Sequence, residues 1–398
     1  MSAEPELHHR DRCAIVGIGE TDYSRRSGRS DLTLATQAAL AAIDDAGLTP
    51  ADIDGIVRCD MDAVRPNDLA HTLGLRDLTY WSEVGPGGVA PCAMVGQAVG
   101  AILSGQARAV LVFRELNGRS GRRYGLAPGA ADERRVGGSG TYDELFAPYG
   151  MLTPGQIFAV MARRHMIEFG TTSEQLAHIA LACRARANAN PRAQMHDRPL
   201  SMDDYLAART IADPLRLFDF CLETDGACAV VVTSVERARD LRRPPALIRA
   251  VAQGSIPDPQ PGIQFPVLMR ESITELPAKS VAATLYRRAG LGPADVDVAQ
   301  VYDCFTITVL LQLEDWGFCK KGEGGPFVAA GEIDLGGRIP INTGGGHLSE
   351  GYIHGMNHVV EGVRQIRGTS TSQVPGAEVC LVTSTPLPPG SGLLLRAA

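Results

Sequence analysis

The stretch Asn342-Thr-Gly-Gly-Gly-His-Leu-Ser-Glu-Gly-Tyr-Ile-His-Gly355 gathers groups that can do chemistry. Its three successive glycines, Gly344, Gly345 and Gly346, would each cost roughly 1 kcal/mol relative to alanine inside a helix. They suit a backbone that turns tightly and brings bare N–H groups up to a ligand. His347, Ser349, Glu350, Tyr352 and His354 follow within ten residues. Beyond Gly355, the spacing of Met356, Val359, Val360, Val363 and Ile366 predicts a helix. A polar glycine-rich loop entering a helix N-terminus favours developing negative charge. A second phenol and a carboxylate, Tyr302 and Asp303, close an apolar strand some fifty residues earlier. A phenol has a pKa near 10 and is a poor base at neutral pH unless its anion is stabilised. The N–H groups of Gly344 to Gly346 are candidates to stabilise it. They are equally candidates to hold an enolate oxygen, where one donor is typically worth about 3–4 kcal/mol.

These loops need strands and helices to hold them. Cys13 to Gly19 reads as a buried strand, Leu32 to Ala46 as an alanine-rich helix and Gly55 to Cys59 as another strand, an order that argues α/β architecture. The stretch Ala46-Gly-Leu-Thr-Pro-Ala-Asp-Ile-Asp54 returns as Ala289-Gly-Leu-Gly-Pro-Ala-Asp-Val-Asp297. Each copy follows a helix and precedes an apolar strand that ends in an acidic residue, Asp60 or Asp303. Such a repeat implies two similar halves. Each half has a further helix and strand: Pro91 to Leu103 with Ala109 to Phe113, and Gly355 to Arg367 with Val379 to Thr383. Thr153 to Asn190 reads as helical, ended by Asn190-Pro191. Ala227 to Val232 reads as a strand closing the first half. The boundary is expected at Arg242 to Pro245, giving halves 1–245, with an inserted loop region of about 115–215, and 246–398. Asn117 to Gly140 and Pro257 to Pro266 read as loops.

Composition bounds the function. The 398 residues are 44% apolar and 21% charged with net charge −7, an ordinary globular balance. No basic block invites nucleic acid. No apolar run reaches the length of a membrane span. The charged start, Met1 to Arg12, lacks a secretory core, so a cytoplasmic protein is expected. The nine cysteines include no C-x-x-C pair, which argues against a metal site or a disulfide framework.

Two halves with this repeat, a helix ending Ala101-Ile102-x-x-Gly105 and the glycine-rich loop together resemble a thiolase over nearly the whole chain. Asn190-Pro191-Arg192-Ala193 resembles the family's Asn-Pro-x-Ala turn, and Asp225-Gly226-Ala227-Cys228-Ala229 its strand entry. The closest likeness is to the sterol-carrier-protein thiolases and their lipid-transfer relatives. The resemblance implies a five-layer α-β-α-β-α fold, normally a homodimer, acting on coenzyme A thioesters. Coenzyme A is then part of the substrate, and no cofactor is expected in this chain.

The departures from the family decide the chemistry. Thiolase spacing back from Gly105 puts Gly88 where the nucleophilic cysteine belongs. Cys92 lies one turn further on, where the helix dipole's help to a thiolate fades. In the loop motif, Tyr352 replaces the catalytic histidine. In Tyr302-Asp303-Cys304-Phe305, a tyrosine replaces the asparagine of Asn-Glu-Ala-Phe. The Cys-x-Gly-Gly-Gly motif is missing. Without an acyl-carrying cysteine there is no covalent intermediate. The paired tyrosines resemble instead the thiolase-like retro-aldolases of bacterial steroid side-chain degradation. That likeness implies cleavage of a β-hydroxyacyl-CoA to a 17-keto steroid and propionyl-CoA, with Tyr302 and Tyr352 as the acid/base pair. It also implies a separate OB-fold/zinc-ribbon subunit and a heterotetramer. His347, His354 and Asp303 are candidates to orient groups or relay protons, although Asp60 suggests a structural role for its repeat partner Asp303. His358 reads as solvated or packed. Arginines in 119–123 and Arg134-Arg135 are candidates for coenzyme A phosphates. The competing readings are an acyltransferase using Cys92 and a non-catalytic acyl-CoA-binding subunit.

Overall fold

The computed structural model of the protein describes residues 9–121, 123, 146–260 and 266–398. Most of the loop expected over 117–140, with Arg134 and Arg135, and much of that over 257–266 lie outside the described residues.

The first half supplies five strands: β1 (Cys13–Glu20), β2 (Gly55–Cys59), β3 (Tyr80–Val84), β4 (Ala109–Asn117) and, beyond a small ribbon of β5 (Thr210–Ala212) and β6 (Leu215–Arg216), β7 (Asp225–Ser234). The second supplies β8 (Ala246–Gly254), β9 (Val298–Gln300), β10 (Val379–Ser384) and β11 (Gly390–Arg396). They form one nine-stranded sheet in the order β3-β2-β4-β7-β1-β8-β11-β10-β9. Read outward from the seam between the halves, β1, β7, β4 and β2 match β8, β11, β10 and β9, and β3 has no counterpart. The halves meet where β1 pairs antiparallel with β8, Ala14 opposite Leu247 and Ile15 opposite Ala246. The residues 242–245 lie just before β8.

The longer helices are α1 (Asp31–Ala46), α2 (Pro66–Leu73), α3 (Pro91–Leu103), α4 (Pro154–Phe169), α5 (Ser173–Ala189), α6 (Ala278–Ala289), α7 (Thr306–Asp315) and α8 (Met356–Arg367). The repeated Pro-Ala-Asp segments are short 3-10 turns that lead α1 toward β2 and α6 toward β9. Helices α1 and α2 cover the outer face of the first half, and α6 and α7 cover that of the second. Between them, α3 and α8 touch strands of both halves, sharing one core with Val57, Val112, Val382 and Leu395. This makes five layers. Burying a valine such as Val359, Val360 or Val363 of α8 completely is worth about 1.5–3 kcal/mol, and this central helix is covered on every side.

The helical stretch expected over 153–190 is two helices. Gly170 takes a left-handed φ of 74° and caps α4, and Thr172 caps the start of α5 through its side chain. Both helices pack on the second half, α4 and α5 against α7 and α5 also against the short helix Gly346–Ser349. The region inserted in the first half thus roofs the second half's loops.

Candidate active site

Tyr302 follows β9 and is fixed from three directions. Its N–H donates to Thr383 Oγ1 at 2.9 Å. Its carbonyl accepts from Gln312 Nε2 at 2.7 Å, and Gln312 Oε1 in turn accepts from Thr383 at 2.7 Å. The preceding residue is clamped to the glycine-rich loop. Asn342, at a left-handed φ of 47°, accepts from Val301 N at 2.7 Å and donates to Val301 O at 2.9 Å. Its side chain thereby replaces a strand neighbour for the segment that carries Tyr302. Tyr352 is held by its own N–H donating to Thr224 Oγ1 at 2.8 Å. The two phenol oxygens meet at 2.9 Å. Tyr302 is 2% exposed, and Tyr352 is the more open of the two. Burial pushes both phenols well above their ordinary pKa, so both are neutral at physiological pH.

An aromatic and imidazole cluster surrounds the pair. The His347 ring stands edge-on to Tyr302 and Tyr352, with centroids at 4.6 and 4.9 Å, and His354 lies 4.9 Å from Tyr352. Beneath them is Asp303, fully buried. It accepts from His358 Nε2 at 2.9 Å and from the backbone N–H groups of His347 and Leu348 at 2.8 and 3.2 Å. The His347 Nδ1 is 3.2 Å away. Burial raises a carboxyl's pKa, yet His347, His358 and the backbone donor together hold Asp303 below its usual range. Its repeat partner Asp60 is exposed and receives only Gly87 N and the Cys59 thiol, so the two copies share a position but not a role. His358 was expected to be solvated or merely packed; it is buried and bonded. Among the described residues, Asp303, His347 and His358 are the one group whose ligand atoms could converge on a metal. His358 Nε2 is hydrogen-bonded to Asp303 Oδ1 at 2.9 Å, and His347 Nδ1 lies 3.2 Å from the same oxygen. The carboxylate is already supplied with donors.

The expected ligand-facing glycines have other neighbours. A Cβ on Gly345 (φ 112°) would come within 2.7 Å of the Ala187 Cβ on α5, and one on Gly344 within 2.7 Å of Glu350 Oε1. Gly346 backs onto Asp303. The Gly345 N–H donates to Asn342 O at 2.9 Å. The close approach these glycines permit is to the chain itself, which corrects the expectation of bare N–H groups at Gly345. Gly88 lies directly over the Tyr302 hydroxyl. Cys92, on the first turn of α3, is wholly buried, and burial pushes its thiol up to about 12. Burial and a raised thiol pKa are the marks of a structural cysteine, not a reactive one. Arg119 and Arg123 both pair with Glu223.

Two buried ionisable residues border the site: Glu350, which the sequence showed only as one polar group of the loop, and Arg114, which escaped sequence reasoning. Glu350 is buried between Asn190 and Asn357, whose amides donate to it at 3.0 and 3.2 Å. Burial, with Glu20 and Glu361 nearby, raises its carboxyl to about 8. Arg114 is completely buried at the far end of β4 and paired with Asp62. It donates to Glu115 O at 3.0 Å and meets His354 Nδ1 at 2.7 Å. His354 itself holds a left-handed φ of 48°, uncommon for a residue with a side chain. The signal for Arg114 was a charged pair, Arg114-Glu115, continuing an apolar strand that was expected to end at Phe113.

Residues 265–387 match the family model described as "Thiolase C-terminal domain-like". The chain is 45% identical over 385 residues to "17-hydroxy-3-oxo-4-pregnene-20-carboxyl-CoA lyase" of Mycobacterium tuberculosis, covering 96% of this chain and 99% of that one. It is 45% identical to "Steroid side-chain-cleaving aldolase" of Thermomonospora curvata, over 96% of this chain and 97% of the relative. The solved "Ltp2-ChsH2(DUF35) aldolase" superposes with a TM-score of 0.89 at 43% identity, covering 99% of both chains. With the five-layer fold and the paired tyrosines, these likenesses assign the chain to the thiolase superfamily, in its branch of steroid side-chain-cleaving aldolases.

Proposed function

We propose that this protein is a carbon–carbon lyase that cleaves a steroid side-chain β-hydroxyacyl-CoA of the 17-hydroxy type by retro-aldol reaction, releasing a 17-keto steroid and propionyl-CoA. The carrying observation is the 2.9 Å contact between the Tyr302 and Tyr352 hydroxyls, in the positions where thiolases place an asparagine and a histidine. The reaction must move one proton from the β-hydroxyl to the α-carbon of the departing thioester while the bond between the α- and β-carbons breaks. The electron pair of that bond passes into the thioester carbonyl, so neither a Schiff base nor a metal is obligatory. Burial keeps both phenols neutral, which disfavours a free phenolate base. Two touching phenols can instead pass the proton in one relay: one accepts from the hydroxyl as it donates to its neighbour, and the neighbour donates to the enolate carbon. Each ends the cycle as it began. His347 and Asp303 support the relay by fixing the Tyr302 surroundings. Cys92, buried and protonated, gives no support to the acyltransferase reading.

The solved relative is named for two components joined in one aldolase. We extend this arrangement to the present chain: a homodimer bound to a separate small OB-fold/zinc-ribbon subunit, forming a heterotetramer. With no C-x-x-C pair in this sequence, a zinc ribbon has to come from another chain. The test is propionyl-CoA release from a steroid β-hydroxyacyl-CoA, followed by mass, with the chain alone and with that partner. Release supports the lyase. Acetoacetyl-CoA thiolysis that depends on Cys92, without such release, returns the chain to the transferases.

A further inference from the structure

We infer that Arg114 is a positioning residue: it holds His354 as the neutral tautomer protonated on Nε2, so that the imidazole serves the aldol cleavage as a hydrogen-bond donor to the thioester oxygen and not as its acid or base. This assignment rests on the lyase reading given above. A guanidinium has donors and no acceptor. At 2.7 Å from Arg114 Nη2, His354 Nδ1 can therefore only accept, and the ring proton of the neutral imidazole must sit on Nε2. Arg114 has no freedom to turn away. Its Nη1 donates to Asp62 and, at 3.0 Å, to Glu115 O, which together hold its far side. Both side chains of the ion pair are fully buried. Three influences on His354 act in one direction. Burial, the Arg114 cation and then His347 all oppose a second proton and hold its pKa well below the ordinary value.

Position does the rest. The His354 ring stands at 85° to Tyr352 with centroids 4.9 Å apart, and it borders Gly87, the neighbour of the Gly88 that covers Tyr302. A neutral donor beside the relay suits an oxygen that gains negative charge as the enolate forms. It cannot compete with the tyrosines for the migrating proton.

The test uses the full chain with its partner subunit. Histidine ring 15N shifts, with His354 assigned by comparison with H354Q, read the tautomer without reference to turnover. An acceptor-type Nδ1 and a protonated Nε2, unchanged between about pH 6 and 8, are expected. An imidazolium or an Nδ1–H tautomer overturns the proposal. The double variant R114M/D62N removes both buried charges together and so avoids stranding either. In it, the Arg114 donor no longer fixes Nδ1 as the acceptor, so the two neutral tautomers of His354 should mix. If the ring stays wholly protonated on Nε2, Arg114 does not set its tautomer. Two substitutions then separate the ring nitrogens. H354N can accept from Arg114 at the δ position but reaches no further, and asparagine tolerates left-handed backbone. H354Q carries a donor at the ε position. H354N should fold normally and lose roughly 10²–10³-fold in kcat with little change in KM, the scale of one oxyanion donor. H354Q should retain clearly more activity than H354N. The opposite order, with H354N active and H354Q dead, means that His354 only anchors Arg114. Loss of the lyase reading itself would appear separately, as turnover that survives removal of both tyrosine hydroxyls.

Discussion

Gly88 lies so close over Tyr302 that a Cβ there would overlap the phenol oxygen. In a thiolase the equivalent of Gly88 is the nucleophilic cysteine. Here the space that its side chain would fill belongs to the hydroxyl of Tyr302, and losing the cysteine and gaining the tyrosine are one structural event.

Gly88→Ala should therefore displace Tyr302 and break its 2.9 Å contact with Tyr352. Aldol cleavage should fall by about 10²-fold or more, the scale of a misplaced catalytic group, while far-UV circular dichroism stays unchanged. Gly88→Cys should not restore thiolysis, because Tyr352 stands where the thiolase histidine is needed. Thiolysis by G88C would mean that the phenol yields readily and does not own the space.

Tyr302→Phe and Tyr352→Phe each interrupt the relay at one oxygen. Each should lower kcat by roughly 10²–10⁴-fold, and the double variant should lose little more than the worse single one, since the two act as a unit. Binding of the acyl-CoA, read by calorimetry, should survive. Additive losses in the double variant would show two independent roles in place of a relay.

Cys92→Ala tests the rival chemistry. The thiol meets Val382 O at 3.4 Å and Ser384 Oγ at 3.5 Å in a fully buried position. Its removal should cost about 1 kcal/mol of stability through a small cavity and leave turnover intact. Iodoacetamide should not inhibit the native enzyme. Inhibition that C92A abolishes would reinstate a thiol mechanism.

How far the sequence could carry these conclusions depended on the kind of element. Strands and helices of the repeat were legible from glycine, proline and alanine spacing, as in Pro50 to Cys59 and its copy near Pro293. The tyrosine pair was legible through motif spacing, although only folding brings residues fifty apart within 2.9 Å. In helix α8, His358 read as solvated or packed. It is buried together with Asn357, Glu361 and Gln365 because α8 lies in the middle layer, and a helix covered on all sides defeats a two-faced reading. Arg114 escaped for a related reason. Its partners, Asp62 and His354, are 52 and 240 residues away, and no local pattern announces a buried pair.

Asp303 and Asp60 offer an internal comparison. Asp303→Asn replaces an acceptor-only group by one whose NH2 must face the donors of His358, His347 and Leu348. Removing one partner of such a buried charged network typically costs about 3–5 kcal/mol, and activity should fall with it. Asp60→Asn, at the exposed copy, should stay within about 0.5 kcal/mol. Urea unfolding of the two variants decides the matter. Equal losses would make Asp303 an ordinary strand-end residue.

Glu350 sets a pH dependence whose sign can be derived. Its carboxyl is raised to about 8 in the fold by burial, with the nearby Glu20 and Glu361 adding to the effect, against an ordinary 4.5 when unfolded. Between these values the folded chain carries a proton at Glu350 that the unfolded chain has released. Folding takes up that proton, so its contribution is fully present below the lower value and is lost as pH rises to about 8. One proton corresponds to about 1.4 kcal/mol of stability per pH unit. Glu115, also raised to about 8 by burial and by Asp62, adds a second contribution of the same sign. Glu350→Gln should therefore reduce, without abolishing, the fall in unfolding free energy between about pH 5.5 and 7.5. The amide keeps an acceptor for Asn190 or Asn357, so the variant should still fold. Urea titrations at both pH values make the comparison. A slope unchanged by E350Q would mean that Glu350 is ionised in the native protein and that its two asparagine donors outweigh the cost of burying the charge.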